Sequence, residues 1–188
     1  AAEQLAARQA GSVNLIAVSK VQPDERVEVV LEQGHRLFGE NRVQEAASKI
    51  PQLEPADWHL VGHLQKNKAA KAIELFDVIE SVDAPTRATR LDRLVGERGA
   101  RGGGRLPIYL QVNVDADPAK AGFTPDELER ELAGVLALPN LEVAGLMTVG
   151  FFTGGGEAAR PTFARLRELS ERLRAADDRL GAGLSMGR

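Results

Sequence analysis

The sequence predicts an α/β fold in which parallel strands alternate with helices. Short apolar runs recur along the chain, and amphipathic helical patterns lie between them. Most of the runs are too continuous for a sheet with one wet face, so they are typical of strands covered on both sides. No convincing linker divides the 188 residues, which predicts a single domain over 1–188.

Seven apolar runs are strand candidates. In chain order they are LIAVS (15–19), RLFGE (36–40), DWHLVG (57–62), DVIESV (77–82), LPIYLQVNV (106–114), LEVAGLMTV (141–149) and GLSMG (183–187). Seven strands suit either a doubly wound sheet or a (β/α)8 barrel, and a barrel normally needs about 250 residues. If the fold is a barrel, its last strand is missing from this sequence, which ends just after the seventh candidate.

Helix signals separate the strand candidates. The pattern PDERVEVVLEQGH stops at Gly34, a residue type that commonly follows a helix end. Thr124 is a predicted N-cap, Pro125 occupies the first helical position, and Glu127 completes a capping box. Apolar residues also recur at helical spacing over 159–176. The glycine-rich stretches GARGGGR and FFTGGGE are predicted to be loops, since neither has the spacing of a phosphate-binding motif.

Composition and charge limit the classes of function. The formal net charge is −3, so no overall basic field attracts nucleic acid or anionic lipid. The chain has no cysteine, which excludes thiol catalysis and cysteine-ligated metals. No apolar run approaches the roughly 20 residues that span a bilayer, and no signal peptide is visible. A cytoplasmic protein is expected, and the start, AAEQLAARQAG, is typical of a helix whose beginning is missing.

The three histidines do not suggest a metal centre. His59 lies inside a predicted strand beside Trp58 and is interpreted as a hydrogen-bonded packing residue. His63 follows the end of that strand and is the better candidate for a functional site.

Polar residues collect where the predicted strands end. The carboxyl ends of parallel strands meet at one rim, where the loops of α/β proteins carry function. In chain order the residues at these ends are Ser19, Lys20, Glu40, Asn41, His63, Gln65, Asn67, Lys68, Ser81, Asp83, Asn113, Asp115, Met147, Thr148, Ser185 and Gly187. This concentration exceeds what surface loops require and predicts a site at the rim.

Several rim residues have a second interpretation. Glu40 and Asn41 suit capping of the following helix as well as they suit contact with a ligand. Met147 is most simply a core residue at the rim. Asp83 and Asp115 are candidates for a carboxylate pair, but their spacing in the sequence does not establish that they are close.

Lys20 stands at the end of the first apolar run. Most lysines in such positions are simply solvated. The alternative is chemical, because a lysine amine attacks a carbonyl group to form a Schiff base. This chemistry suits an aldolase or a pyridoxal phosphate protein, and the latter also needs a phosphate anchor. LSMG, with Ser185 and Gly187, is a candidate for half of such an anchor.

Together, the motifs resemble one known family. AVSKVQP, FGENRVQE, WHLVGHLQKNK, QVNVDADPAKAGF, GLMTV, ARPTFARLREL and LSMG occur in the order of the pyridoxal phosphate homeostasis family, also known as YggS or proline synthetase co-transcribed proteins. The resemblance covers nearly the whole chain. It implies a (β/α)8 barrel similar to the N-terminal domain of alanine racemase, the fold-type III arrangement. It also implies that Lys20 of AVSK holds pyridoxal 5′-phosphate covalently as an internal aldimine.

The resemblance extends to four further residues of the cofactor site. It places Asn41 of FGEN and Met147 of GLMT along the cofactor, and Ser185 and Gly187 of LSMG near its phosphate. The family continues into an acidic turn, a helix and a last strand that carries an arginine and a phosphate loop. None of these is visible in this sequence. Arg188 stands where the family commonly has methionine, so the pyridine role is not assigned to it.

The implied function is to carry or buffer pyridoxal phosphate in vitamin B6 homeostasis, without catalytic residues and as a monomer that passes the cofactor to apo-enzymes. The main alternative is a pyridoxal-phosphate-dependent amino-acid racemase, which needs two opposed acid–base groups. Lys20 could be one of them. Tyr109, the single tyrosine, lies in a predicted strand where packing is the simpler interpretation. A Schiff-base aldolase is a third option, disfavoured because it would not explain LSMG.

Overall fold

The computed structural model describes residues 11–150 and 155–187, in which strands and helices alternate. The strands are β1 (Ala17–Val18), β2 (Leu37–Glu40), β3 (Asp57–Leu60), β4 (Val78–Val82), β5 (Leu106–Gln111), β6 (Leu141–Val149) and β7 (Gly183–Gly187). The helices are α1 (Asp24–Glu32), α2 (Val43–Lys49), α3 (Ala69–Leu75), α4 (Pro85–Arg98), α5 (Pro125–Leu136) and α6 (Gly155–Ala176). Short 3-10 turns at Ile50–Gln52 and Lys66–Lys68 precede β3 and α3. The predicted alternation of strands and helices is therefore confirmed.

All seven strands are parallel and form one sheet in the order β1-β2-β3-β4-β5-β6-β7. A doubly wound sheet reverses its strand order at a switch point, whereas a (β/α)8 barrel keeps neighbouring strands in chain order. The sequential order therefore favours the barrel over the doubly wound sheet. Within the described residues β1 and β7 are the two edges of the sheet, and a predicted eighth strand is not among them.

The apolar core lies between the sheet and the helices. On β5, Leu106, Ile108 and Leu110 are buried, and the residues between them are only half-buried. Successive side chains of a strand point to opposite faces of the sheet, so the half-buried residues belong to an inner face that helices do not cover. Phe38 and Trp58 are register partners on the helix side, and their rings stack with centroids 5.3 Å apart.

Two predicted helix ends are confirmed. The Glu127 main-chain N–H donates to Thr124 Oγ1 at 3.2 Å, and the Thr124 main-chain N–H donates to Glu127 Oε2 at 2.9 Å. This is the predicted capping box, with Pro125 at the start of α5. Gly34 has a φ of +89° just beyond α1, as expected of the glycine that ends a helix.

β1 differs from its prediction. The run 15–19 was expected to be a strand covered on both sides, but only Ala17–Val18 pairs with β2. Leu15 and Val18 are 74% and 46% exposed. β1 is an edge of the sheet, and no neighbouring strand among the described residues covers its free side. The expectation of burial on both faces is therefore wrong for β1.

Two predicted segments lie wholly or partly outside the described residues. They are residues 1–10 of the predicted N-terminal helix (1–11) and residues 151–154 of the predicted FFTGGGE loop (151–157). Residues 155–157 begin α6, so the loop prediction is wrong for that part. The helical pattern over 159–176 falls within α6, whose leucines at 166, 169 and 173 are buried. Across the part of the chain that the structure describes, none of the helices has the length and apolar character of a membrane span.

Candidate cofactor site

The ends of β1 and β2 place Lys20 and Asn41 side by side. Val18 and Gly39 are register partners, so Lys20 and Asn41 follow at matching positions two residues further along. Lys20 is exposed, and its amine has no hydrogen-bond or ion-pair partner among the described residues. An exposed, unpaired primary amine at this rim is available to a carbonyl compound.

Asn41 is half-buried, and its main chain packs closely on Gly62 after β3. A Cβ at Gly62 would overlap the main chain of Asn41, so only glycine permits this approach. The N-cap of α2 is Arg42, and no side chain caps that helix end. The interpretation of Glu40 and Asn41 as helix caps is therefore wrong.

The other three predicted site residues lie on β6 and β7. Met147 and Ser185 are register partners, and Gly187 pairs with Val149 two residues further along. Met147 is only 4% exposed, so it is a core residue as well as a rim residue. Gly187 is exposed, with open space at its Cβ position. Since β7 and β1 are opposite edges of the sheet, the structure forms two groups of site residues rather than one contiguous set.

A buried carboxylate connects β3, β4 and β7 at the centre of the sheet. Glu80 is 1% exposed, and its Oε1 lies 2.6 Å from His59 Nδ1. The Ser185 hydroxyl donates to Glu80 Oε2 at 2.5 Å. We call His59, Glu80 and Ser185 the Glu80 cluster. The hydrogen-bonded packing role predicted for His59 is confirmed, and the hydroxyl proton of Ser185 is already engaged.

Tyr109 lies close to the Glu80 cluster. It is the register partner of Gly145 in β6, and a Cβ on Gly183 in β7 would lie 2.5 Å from its hydroxyl oxygen. Burial raises the pKa of the Tyr109 phenol, and the negative charge of Glu80 raises it further. These contacts support the predicted packing role.

A second polar network lies behind the ends of β1 and β2. Lys49, the last residue of α2, is 3% exposed and donates to Glu40 Oε1 at 2.7 Å and to the Ser19 main-chain oxygen at 2.8 Å. The Ser19 hydroxyl also donates to Glu40 Oε1, at 2.7 Å. Glu45 Oε1 lies 3.7 Å from Lys49 Nζ. We call Ser19, Glu40, Glu45 and Lys49 the α2 network.

The roles of Lys49 and Glu80 were not predicted from the sequence, although each residue leaves a signal there. Glu80 interrupts the apolar run DVIESV, and Lys49 follows Glu45 by four residues in the helix after FGEN. Acidic and basic side chains are rarely buried unless they are paired. A charged residue inside an apolar pattern therefore predicts a partner, but it does not identify that partner.

His63 and Asp83 lie together beyond β3 and β4. Asp83 accepts from Arg87 Nε at 2.6 Å, and its other oxygen is 3.3 Å from His63 Nδ1. The His63 side chain is 57% exposed, so it remains accessible at the rim. No group of three histidine, aspartate or glutamate side chains in the described part of the chain is arranged to hold a metal ion.

Asp115 has a separate set of partners. Thr162 Oγ1 donates to its Oδ2 at 2.8 Å, Arg165 donates to Oδ1 at 2.7 Å, and Lys120 Nζ lies 3.2 Å from Oδ2. Burial alone would raise the pKa of Asp115, but hydrogen bonds from Thr162, Lys120 and Arg165 hold it below its ordinary value. Asp83 and Asp115 are each balanced by nearby cations, so nothing supports a carboxylate pair between them.

A cavity of about 350 Å³ opens at the other end of the sheet. Its lining includes Leu37, Asp57, Val78 and Pro107, which lie at the amino-terminal ends of four strands. In parallel barrels, catalytic and ligand-binding residues collect at the carboxyl ends. The rim that carries Lys20 is therefore the candidate site, and this cavity is not.

The chain matches the family described as alanine racemase, N-terminal domain, over residues 2–186. It is 39% identical over 186 residues to the pyridoxal phosphate homeostasis protein of Pseudomonas aeruginosa, with 98% of this chain and 79% of that protein covered. The chain belongs to the pyridoxal phosphate homeostasis protein family. The family member from Synechocystis sp. is 36% identical over 182 residues, with 94% of this chain and 80% of that protein covered.

Solved structures agree with the family and with the barrel type. PipY of Synechococcus elongatus, solved with PLP bound, has a TM-score of 0.85 and 38% identity, covering 98% of this chain and 86% of that one. Alanine racemase of Clostridium difficile has a TM-score of 0.74 and 12% identity, covering 95% of this chain and 46% of that one. At that identity the racemase likeness shows the fold alone. The predicted family and barrel type are therefore confirmed.

Proposed function

We propose that this protein binds pyridoxal 5′-phosphate covalently on Lys20 and carries or buffers it, without catalytic turnover, in vitamin B6 homeostasis. The observation that carries the proposal is the Lys20 amine at the carboxyl end of β1, which is exposed and has no partner in the part of the chain that the structure describes. Family relatives are named pyridoxal phosphate homeostasis proteins, and PipY was solved with PLP bound.

The amine of Lys20 supplies reversible chemistry. Its nitrogen adds to the aldehyde carbon of the cofactor, and loss of one water molecule leaves a C=N bond, the internal aldimine. Addition of water to the same bond releases the aldehyde and restores the amine. A carrier needs this reversibility, because the cofactor must be passed on intact.

The remaining rim residues fit a phosphorylated aldehyde. We assign Asn41 and Met147 to the sides of the cofactor, and Ser185 and Gly187 to its phosphate. A hydroxyl is a suitable donor to phosphate oxygen, and the open space at the Cβ position of Gly187 leaves room for the phosphate. Ser185 would exchange its hydrogen bond to Glu80 for one to the phosphate.

The surroundings of the rim favour a binding protein over a racemase. Racemisation needs an acid–base group on each face of the substrate, and Lys20 serves one face only. The raised pKa of Tyr109 keeps its phenol protonated, and its hydroxyl packs against Gly183. Asp83 and Asp115 are already engaged in ion pairs with Arg87 and Arg165.

We propose apo-enzymes that use pyridoxal phosphate as the recipients, the cytoplasm as the location and the monomer as the working form. With a net charge of −3, the chain has no overall basic field that would favour nucleic acid as a partner.

The aldimine is tested by the absorption spectrum of the purified protein with pyridoxal phosphate, before and after borohydride. An absorption band near the visible edge and a trapped adduct that peptide mapping locates at Lys20 are expected. An adduct at Lys66, Lys68 or Lys120 instead would contradict the assignment.

The carrier role is tested against the racemase by offering the loaded protein a panel of L-amino acids in deuterated water. No appreciable racemisation is expected, and an apo-enzyme mixed with the loaded protein should recover its activity. Deuterium incorporation at Cα with net inversion, at rates in the ordinary enzyme range of about 1–10³ per second, would overturn the carrier role.

A further inference from the structure

The peptides on both sides of Lys20 are held by side chains of α2. Before it, the Ser19 main-chain oxygen accepts a hydrogen bond from Lys49 Nζ at 2.8 Å. After it, the Val21 main-chain N–H donates to Glu45 Oε1 at 2.5 Å. Glu45 and Lys49 are four residues apart on one helix face, so a single helical turn holds both peptides.

The turn that contains Lys20 has a backbone conformation that needs support. Val21 has a φ of +60°, which is unfavourable for a β-branched residue. The Gln22 N–H donates to the Ser19 oxygen at 3.1 Å, which closes the turn around Lys20. Val21 is 84% exposed, so side-chain packing does not hold it in this conformation. The hydrogen bond to Glu45 is the contact that fixes the Val21 peptide.

Stability alone does not explain why residue 49, which contacts the main chain of this turn, is a lysine. Lys49 and Glu40 are 3% and 0% exposed. Replacing a buried ion pair with apolar side chains of similar size is often neutral or stabilising. An apolar side chain, however, could not donate to the Ser19 oxygen. The lysine is therefore explained by its contact with the main chain next to Lys20.

We infer that Glu45 and Lys49 are positioning residues, which fix the main chain on either side of Lys20 before the cofactor arrives. This inference rests on the proposed function of Lys20. A fixed main chain limits the volume that the Lys20 amine explores, so more of its conformations are oriented for attack on the aldehyde. Glu45 and Lys49 thus influence the Lys20 amine through the main chain that they hold.

The first test measures the main chain in the protein without cofactor. Glu45→Ala removes the acceptor for Val21 at a partly exposed site, so the fold should survive. We expect the Val21 amide to exchange with deuterated water at least tenfold faster, with an unchanged melting temperature. Glu45→Gln keeps an acceptor oxygen and should restore slow exchange. Lys71→Ala, which removes an exposed ion pair with Glu74 on α3, is the matched control.

The second test measures the rate at which borohydride traps an adduct on Lys20. Pyridoxal is used beside pyridoxal phosphate, because it reports on the amine without a phosphate contact. We expect the rate to fall about tenfold in Glu45→Ala with either aldehyde, and to recover in Glu45→Gln. Lys49→Met combined with Glu40→Gln removes both buried charges together, so we expect the fold to be preserved while the contact of Lys49 with the Ser19 oxygen is lost. It should show the same slower rate.

The outcomes separate the positioning role from the proposed function. A trapping rate within twofold of wild type in Glu45→Ala and in the double variant would overturn the positioning role and leave the proposed function intact. Slower trapping that follows a lower melting temperature and is not restored by Glu45→Gln would make the effect structural, which also overturns it. Absence of any Lys20 adduct in the wild type would overturn both.

Discussion

Glu40 at the end of β2 and Glu80 in the middle of β4 are both buried carboxylates, and they differ in what they hold. In the α2 network, Glu40 pairs with a buried lysine that also binds main-chain oxygen. In the Glu80 cluster, the carboxylate contacts two side chains, the ring of His59 and the hydroxyl of Ser185. The first arrangement fixes a peptide, and the second fixes a hydroxyl that can rotate to another partner.

This difference divides the proposed site into two halves. We call the turn at Lys20, held by the α2 network, the preset half, and Ser185 with its Glu80 partner the exchangeable half. The turn at Lys20 is complete without a ligand, because its main-chain contacts come from the protein itself. Under the proposed assignment, Ser185 would contact a phosphate only after its hydroxyl leaves Glu80. A carrier benefits from both properties, since a positioned amine favours capture of the aldehyde and a competing carboxylate favours release of the phosphate.

The largest effect is expected at the reactive amine of the preset half. Lys20→Ala should abolish the absorption band and the borohydride-trapped adduct, because it removes the amine that attacks the aldehyde. Lys20 is exposed and has no partner among residues 11–150 and 155–187, so the free energy of unfolding should change by less than about 0.5 kcal/mol. Peptide mapping and urea unfolding measure the two effects. An adduct of undiminished yield in this variant would show that another lysine is the site.

The next largest effect concerns the stability of the α2 network. Lys49→Met leaves the carboxylate of Glu40 buried without a cation, so the free energy of unfolding should fall by about 3–5 kcal/mol. Adding Glu40→Gln to this variant removes the unpaired charge and should recover most of the loss. Urea unfolding of the single and double variants measures both changes. If the single variant is as stable as wild type, Glu40 is not held as a buried charge.

Local patterns predicted the parts of the molecule that depend on near neighbours in sequence. The capping box at Thr124, the glycine after α1 and the strand-end position of Lys20 need only a few adjacent residues. The resemblance of the motifs added the barrel type and the family, and periodicity alone left the doubly wound sheet open.

The two polar networks depend on distant pairs and could not be predicted in the same way. Ser19 and Lys49 are 30 positions apart, and Glu80 and Ser185 are 105 positions apart. The sequence shows that each charge is present, but the partner follows only from the register of the strands and the docking of α2. The burial expected for β1 was wrong for a related reason, since a run of apolar letters does not reveal that its strand is an edge.

A moderate effect is expected at the phosphate end of the site. Ser185→Ala should weaken the affinity for pyridoxal phosphate by at most about 1–2 kcal/mol, less than a full hydrogen bond to a charged group, because the wild-type hydroxyl gives up its bond to Glu80 when it turns to the phosphate. The Schiff base should still form at high cofactor concentration, because Lys20 is untouched. Absorbance titration measures the affinity, and Ser170→Ala, a buried serine on α6, is the control. An unchanged affinity would place the phosphate elsewhere on the rim.

The smallest effect tests whether Glu80 is charged within its cluster. Tyr109 is the only tyrosine of the chain, so the ultraviolet absorbance of tyrosinate reports on one group. Burial first, and then the charge of Glu80, raise its pKa above the ordinary 10.0. Glu80→Gln should therefore lower the pKa of Tyr109 without returning it to 10.0, because burial remains.

The same shift gives the sign of a pH dependence. The pKa of Tyr109 is higher in the folded protein than in the unfolded chain, where it is about 10.0. Tyr109 therefore contributes its full share of the free energy of unfolding below pH 10.0, and this share is lost as the pH rises through the pKa of the folded protein. Above pH 10.0 the free energy of unfolding should fall less steeply with pH in Glu80→Gln than in wild type. Equal titration curves in the two proteins would mean that Glu80 carries no charge beside Tyr109. In that case Ser185 could turn to a phosphate without giving up a bond to a charged acceptor. Glu80 would then not compete as a charge for the Ser185 hydroxyl, and the distinction between the preset and the exchangeable half would no longer hold.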